Sequence, residues 1–168
     1  MPSRALRGRQ RQTGRAEVHR PEQHALLQIA QSESDRAVRR AALRALGKPA
    51  IVYFYPKDDT PGCTAEACSF RDHYEVLKAA GAEVVGVSSD DVHAHEAFGA
   101  KYQLPFVLLS DPGGQVRASY GVKRSLGLID GRITFVIDRR GIVRHAFSSQ
   151  LRPKKHVDEA LRILQSLQ

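Results

Sequence analysis

The sequence predicts an α/β protein: a central mixed β-sheet flanked by helices. From Ala50 onward, short apolar and β-branched runs alternate with segments of helical spacing. A pair of alternating runs joined by a tight Arg139-Arg140-Gly141 turn then adds antiparallel strands, which makes the sheet mixed. The 168 residues suffice for one domain with a proper core.

The front of the chain differs in composition. Residues 1–48 hold 11 Lys and Arg against 4 Asp and Glu, whereas residues 49–168 hold 15 against 14. The net charge of +8 therefore belongs mainly to the front, and the rest carries no nucleic-acid footprint. Met1 to Arg20 has six arginines, one acid (Glu17) and no apolar periodicity, which reads as disordered. Pro21 to Gln31 scans as a short helix with Leu26, Leu27 and Ala30 inward. Ser34 can cap a second helix, with Val38, Ala41, Ala42, Ala45 and Leu46 on one face and Gly47 at its end. The expected division is an atypical basic N-terminal segment, residues 1–42, and a folded domain, residues 43–168. No apolar run reaches transmembrane length, and no secretory signal core is present.

The core elements follow in order. Ala50 to Tyr55 is apolar, β-branched and aromatic, and Pro56 closes it as a buried strand. Turn formers fill Pro56 to Gly62. A helix follows, with Cys63 in or next to its first turn and Phe70, Tyr74 and Leu77 on one face. Glu83 to Ser89 reads as a second buried strand. Asp90 or Asp91 caps a helix to Tyr102, whose His93 and His95 are expected to be exposed. Phe106 to Leu109 is a short strand, Asp111-Pro-Gly-Gly a turn, Gln115 to Tyr120 a helical piece and Ser125 to Gly131 a loop. Arg132 to Ile137 alternates, and Ile142 to Phe147 returns antiparallel. Pro153 suits the start of a last helix with Val157, Ala160, Leu161, Leu164 and Leu167 as its buried stripe.

The two cysteines, Cys63 and Cys68, carry the chemical interest. At a helix start, unpaired backbone N–H groups and the helix dipole favour a thiolate, the reactive form. In an intact helix, residues five apart are about 8–9 Å apart at Cα, beyond the roughly 7 Å a disulfide tolerates. A bridge formed during turnover would require the first turn to unwind. Two free cysteines can equally be inert buried thiols. A zinc site needs two further ligands, and His73 is the only nearby histidine.

The whole string favours the reactive reading. Pro56, Thr60, Pro61, Gly62, Cys63, Thr64, Glu66 and Cys68 stand as PxxxTPGCTxExC. This resembles the active-site motif of peroxiredoxins, in particular the peroxiredoxin Q or bacterioferritin comigratory protein group, over about Leu43 to Leu167. The resemblance implies a thioredoxin-like fold and a thiol peroxidase acting on hydrogen peroxide and organic hydroperoxides. By position, Cys63 is then peroxidatic, Cys68 resolving, and Pro56 and Thr60 part of the peroxide pocket. GRITFVID resembles the segment whose arginine, here Arg132, points at the peroxidatic sulfur. Glu66 is expected to serve the helix dipole from the first turn. The family's opening hairpin and AP-x-F-x-L-like segment are absent from residues 1–42, so the front is replaced or the natural start differs.

The implied cycle makes a Cys63 sulfenic acid, then an intramolecular Cys63–Cys68 disulfide, then dithiol exchange with thioredoxin or a similar reductant. No metal, flavin or haem is called for, and neither a nucleic acid nor a membrane is expected as partner. A monomer suffices. A dithiol cycle suits the cytoplasm, and the Arg-rich front admits an organelle transit peptide instead. Two other classes remain open: a thiol–disulfide oxidoreductase without peroxidase activity, and a basic-arm binding protein with a redox-silent domain.

Overall fold

The computed structural model describes residues 47–124 and 129–167. The N-terminal segment, both helices expected before Gly47, and residues 125–128 of the loop lie outside the described residues.

Strand β1, Ala50–Phe54, is buried along its whole length. It leads through residues 55–60 into helix α1, Pro61–Asp72, and then α2, Tyr74–Ala79. Strand β2, Glu83–Ser88, helix α3, Val92–Tyr102, and strand β3, Val107–Ser110, complete a parallel unit. After the short helix α4, Gln115–Ser119, the chain returns as β4, Ile133–Ile137, and β5, Val143–Ser148. The last helix is α5, Lys155–Ser166. The sheet order is β3-β2-β1-β4-β5, with β4 antiparallel to both β1 and β5. This mixed, helix-flanked sheet is the expected thioredoxin-like architecture.

Alternation of side chains along β1 builds two cores at once. Ala50, Val52 and Phe54 face one side with Val85, Val87, Leu109, Phe135 and Tyr120. Ile51, Tyr53 and Tyr55 face the other, against Cys63, Phe70, Leu77, Val157, Ala160 and Leu164. Because β1 is central, its C-terminal end delivers the chain to the middle of one sheet edge, beside the start of β4. Phe54 pairs with Ile133, one residue after Arg132.

Several expectations need correction. The helix from Cys63 is not continuous: it breaks at His73, whose ring Nδ1 lies 2.8 Å from the Ser69 carbonyl while its backbone N–H reaches the same oxygen at 3.3 Å. Ring and backbone compete for one acceptor, and the turn loosens there. Helix α5 starts two residues after Pro153, and Leu167 is exposed beyond its end. His93 is exposed as expected, but His95 is buried. Asp58, four residues after the end of β1, explains it: its Oδ2 lies 2.7 Å from His95 Nδ1, so the ring is buried against a carboxylate.

Candidate active site

Thr60 occupies the N-cap position of α1 with extended backbone, and Pro61 takes the first helical position, where no N–H is needed. The first backbone bond of the helix runs from Thr64 N–H to Thr60 O, 2.9 Å. The N–H groups of Gly62 and Cys63 therefore have no acceptor within the helix. Cys63, the third helical residue, is 1 % exposed.

Arg132 meets it from the start of β4. Its Nη2 donates to Cys63 Sγ at 3.3 Å, and its Nη1 donates to Glu66 Oε2. All three side chains are buried. Burial opposes the charge on Arg132, but Glu66 and Cys63 outweigh it and hold the guanidinium even more firmly protonated than usual. Burial acts on Glu66 in the opposite sense, raising its carboxyl to about 8 despite the pull of Arg132. Glu66 is thus not the expected first-turn dipole partner: α1 has no acid in its first turn, and Glu66 lies a turn deeper, under the arginine.

Gly62 makes room for this arrangement, since a Cβ there would stand 3.1 Å from Arg132 Nη2. The Thr60 hydroxyl donates to the Lys57 carbonyl at 2.9 Å, which turns its lone pairs outward as acceptors. Pro56 is half-buried at the end of β1. Cys68 is half-buried in the body of α1, and both thiols are free. The structure thus joins Cys63 to Arg132 directly, places Thr60 at the head of the same helix, and leaves Cys68 apart from them.

Three supports were not visible in the motif. Arg117 is buried and donates to Tyr55 O at 3.0 Å and Gly131 O at 2.8 Å, so it pins the residues flanking Pro56 and Arg132. Asp58 accepts from Tyr55 Oη at 2.7 Å and pairs with His95, tying the 56–60 loop to α3. His156, fully buried in α5, lies behind Glu66 with its Nδ1 3.4 Å from Oε1. Only the composition of a polar residue inside an apolar stripe could have flagged His156, and that pattern is common on exposed faces. Among the described residues, no group of three or more His, Cys, Asp or Glu is placed to hold a metal, and no helix is long and apolar enough to cross a membrane.

A buried cysteine at the head of a helix, gripped by an arginine from the neighbouring strand of a thioredoxin-like sheet, defines a thiol-redox protein. A family model described as AhpC/TSA matches residues 22–146, and the chain belongs to that family. It is similar to the chloroplastic peroxiredoxin Q of Populus jackii, 56% identical over 122 residues that cover 72% of this chain and 57% of the relative. It therefore spans little more than half the length of that curated relative. A crystal structure of peroxidoxin BcpB from Mycobacterium tuberculosis matches with TM-score 0.69 and 39% identity, covering 75% of this chain and 85% of the other. A bacterioferritin comigratory protein of Xanthomonas campestris, described for its alkyl peroxide reduction activity, matches with TM-score 0.67 and 32% identity, covering 73% and 81%.

Proposed function

We propose that this chain is a thiol peroxidase that reduces hydrogen peroxide and organic hydroperoxides through Cys63. The single observation that carries the reading is the buried Cys63 Sγ, 3.3 Å from the buried Arg132 guanidinium. The Cys63 thiolate attacks one peroxide oxygen, forming an S–O bond as the O–O bond breaks. The electron pair leaves on the second oxygen, which takes up a proton and departs as water or alcohol. The N–H groups of Gly62 and Cys63 and the Arg132 guanidinium point at the charge that develops there, an oxyanion-type effect. With its proton committed to Lys57, the Thr60 oxygen accepts from the hydroperoxide O–H and orients it. Pro56 walls the pocket and has no proton chemistry.

Cys63 is then a sulfenic acid. Cys68 stands about 8–9 Å away at Cα along an ideal helix, so the first turns of α1 must open before Cys68 attacks and water leaves. The resulting disulfide is reduced by dithiol exchange, and thioredoxin or a similar protein fits that role. Both cysteines lie on one helix, so a monomer can complete the cycle. We take residues 43–168 as the peroxiredoxin domain and residues 1–42 as an atypical basic segment before it, the family match itself beginning at residue 22. Relatives named as chloroplastic favour the organelle alternative over the cytoplasm for this chain.

The test is one equivalent of hydrogen peroxide added to the reduced protein, with thiols mapped by mass spectrometry. The expected product is an intramolecular Cys63–Cys68 disulfide, replaced by a Cys63 sulfenic acid in Cys68→Ser. Two thiols still free in folded protein would overturn the reading.

A further inference from the structure

The polar chain behind the sulfur continues past Arg132. His156 Nε2 lies 3.0 Å from the Ser149 carbonyl. A carbonyl only accepts, so Nε2 carries the proton, and in the neutral ring Nδ1 is a bare acceptor. That acceptor lies 2.8 Å from Thr134 Oγ1 and 3.4 Å from Glu66 Oε1. Among the described residues Glu66 Oε1 has no hydrogen-bond partner, although the residue is fully buried.

The charges around Glu66 explain why this matters. Arg132, just before β4, bonds both Glu66 and Cys63 of α1, Tyr53 of β1 lies near enough to be acted on by the Glu66 charge, and His156 of α5 stands 3.4 Å away with Thr134 of β4 on its Nδ1. Among the described residues Arg132 is the one cation against Glu66, and Cys63 and Glu66 are two acids against it. Ionising both would leave a buried negative charge in excess; ionising neither would leave a buried positive one. Both are costly in a low-dielectric interior. Near neutrality the pair therefore holds one proton, and it sits either on the sulfur or on the carboxyl. A carboxylate oxygen facing a bare imidazole nitrogen is two acceptors opposed, whereas a carboxyl O–H there is a donor with its acceptor.

We propose that Cys63 and Glu66 share one proton across Arg132, and that His156 Nδ1 draws it onto Glu66 and so leaves Cys63 as the thiolate. The step moves one proton and no electrons: the Cys63 S–H bond breaks and a Glu66 Oε1–H bond forms. Thr134 is the competitor. Its hydroxyl fills Nδ1 when Glu66 is ionised and yields the position when Glu66 is protonated. Burial supports both ends of the scheme, raising Glu66 to about 8 and lowering His156 to about 4, so that the ring stays neutral. His156 is thus a positioning residue that never touches substrate. The inference rests on Cys63 being the reactive thiol proposed above.

The experiment is a pH titration of thiolate ultraviolet absorbance in a Cys68→Ser background, without peroxide. It reads the proton's position directly, so a failure of the peroxidase reading leaves it interpretable. Replacing His156 by Phe keeps the packing against Phe147 but removes the acceptor. The thiolate-to-thiol ratio at neutral pH should fall about tenfold, the worth of one hydrogen bond. Glu66→Gln should raise the ratio, and adding His156→Phe to Glu66→Gln should then change nothing further. An equal loss with and without Glu66→Gln would mean that His156 acts only through packing, and would overturn the proposal. Thr134→Val preserves shape and keeps the test alive if His156→Phe does not fold. It frees Nδ1 for Glu66 and should raise the ratio; an unchanged ratio also overturns the proposal.

Discussion

Replacing Gly62 by Ala separates the chemistry of Cys63 from the stability of the helix that carries it. The new Cβ would stand 3.1 Å from Arg132 Nη2, closer than ordinary contact. The guanidinium cannot simply swing aside, because Nη2 is held on Cys63 Sγ and Nη1 on Glu66. A shift of a few tenths of an ångström must lengthen one of these bonds. Hydrogen bonds involving a charged group contribute about 1.5–3 kcal/mol, so loss of the contact to sulfur corresponds to roughly a ten- to hundredfold fall in rate. The backbone effect has the opposite sign: Ala in place of Gly favours the helix by up to about 1 kcal/mol. The variant should therefore unfold in urea within about 1 kcal/mol of the parent, yet react with hydrogen peroxide at least about tenfold more slowly in stopped-flow measurements. A folded variant that reacts within about twofold of the parent would refute the assignment of Arg132 to the reacting sulfur.

Thr60→Val removes the bond to the Lys57 carbonyl and the acceptor offered to peroxide; the expected stability loss is about 1 kcal/mol, with a larger fall in kcat/KM than in stability alone, read by peroxide-consumption kinetics. A Cβ at Gly131 would collide with the Lys123 carbonyl, a backbone atom that cannot yield cheaply. Gly131→Ala should therefore disturb the start of β4 and lower both the thermal midpoint and the peroxide rate, and normal values for both would contradict this packing. Acid stability tests His156. Its folded value is about 4 against 6.5 for a free ring, so its contribution is complete above about 6.5 and lost as pH falls towards 4, at most about 3 kcal/mol. Urea melts at pH 7 and pH 4 should show a smaller acid loss in His156→Gln, and an equal loss in both proteins would rule this out. His95 runs the other way. Burial disfavours its charge, but the hydrogen bond and charge of Asp58 win and raise it. Its stabilisation is complete below about 6.5 and lost as pH rises through the folded value, and Asp58→Asn should abolish that alkaline loss in the same melts.

Residues 55–60, which carry Thr60 and Asp58, are tied down on several sides. Tyr55, Asp58, Asp59 and Thr60 are each tied to a different partner: Arg117 to the Tyr55 carbonyl, His95 to Asp58, Lys101 and Tyr102 to Asp59, and Lys57 to Thr60. Arg71, near the end of α1, donates to the Tyr102 carbonyl at 2.8 Å. The loop before the helix and the helix end are thus anchored to α3. The stretch between these anchors contains both Cys63 and Cys68, so the opening that the proposed disulfide requires falls within it.

Local chemistry was legible in the chain itself. Short apolar runs bounded by turn residues located β1 and β2, and alternation located β4. A cap at Asp90 or Asp91 was expected, and Asp91 supplies it, its carboxylate accepting from the Ala94 N–H three residues on. The placement of Cys63 at a helix head also followed from Thr60-Pro61-Gly62, residues that suit the end of a loop and the first helical positions. What tertiary structure decided was every partnership between distant segments. Arg132 reaches Cys63 across 69 positions because β4 pairs with β1 antiparallel, so that its first residues lie beside the last of β1. Glu66 becomes the buried partner of Arg132 rather than a dipole ornament because α1 packs that face against β4 and α5. His95 and His156 look like surface residues in sequence; one is claimed by Asp58 from 37 positions away, the other by Thr134 and Ser149. Sequence spacing reports which residues share a face, whereas a buried charge is stabilised by whatever the fold brings opposite that face.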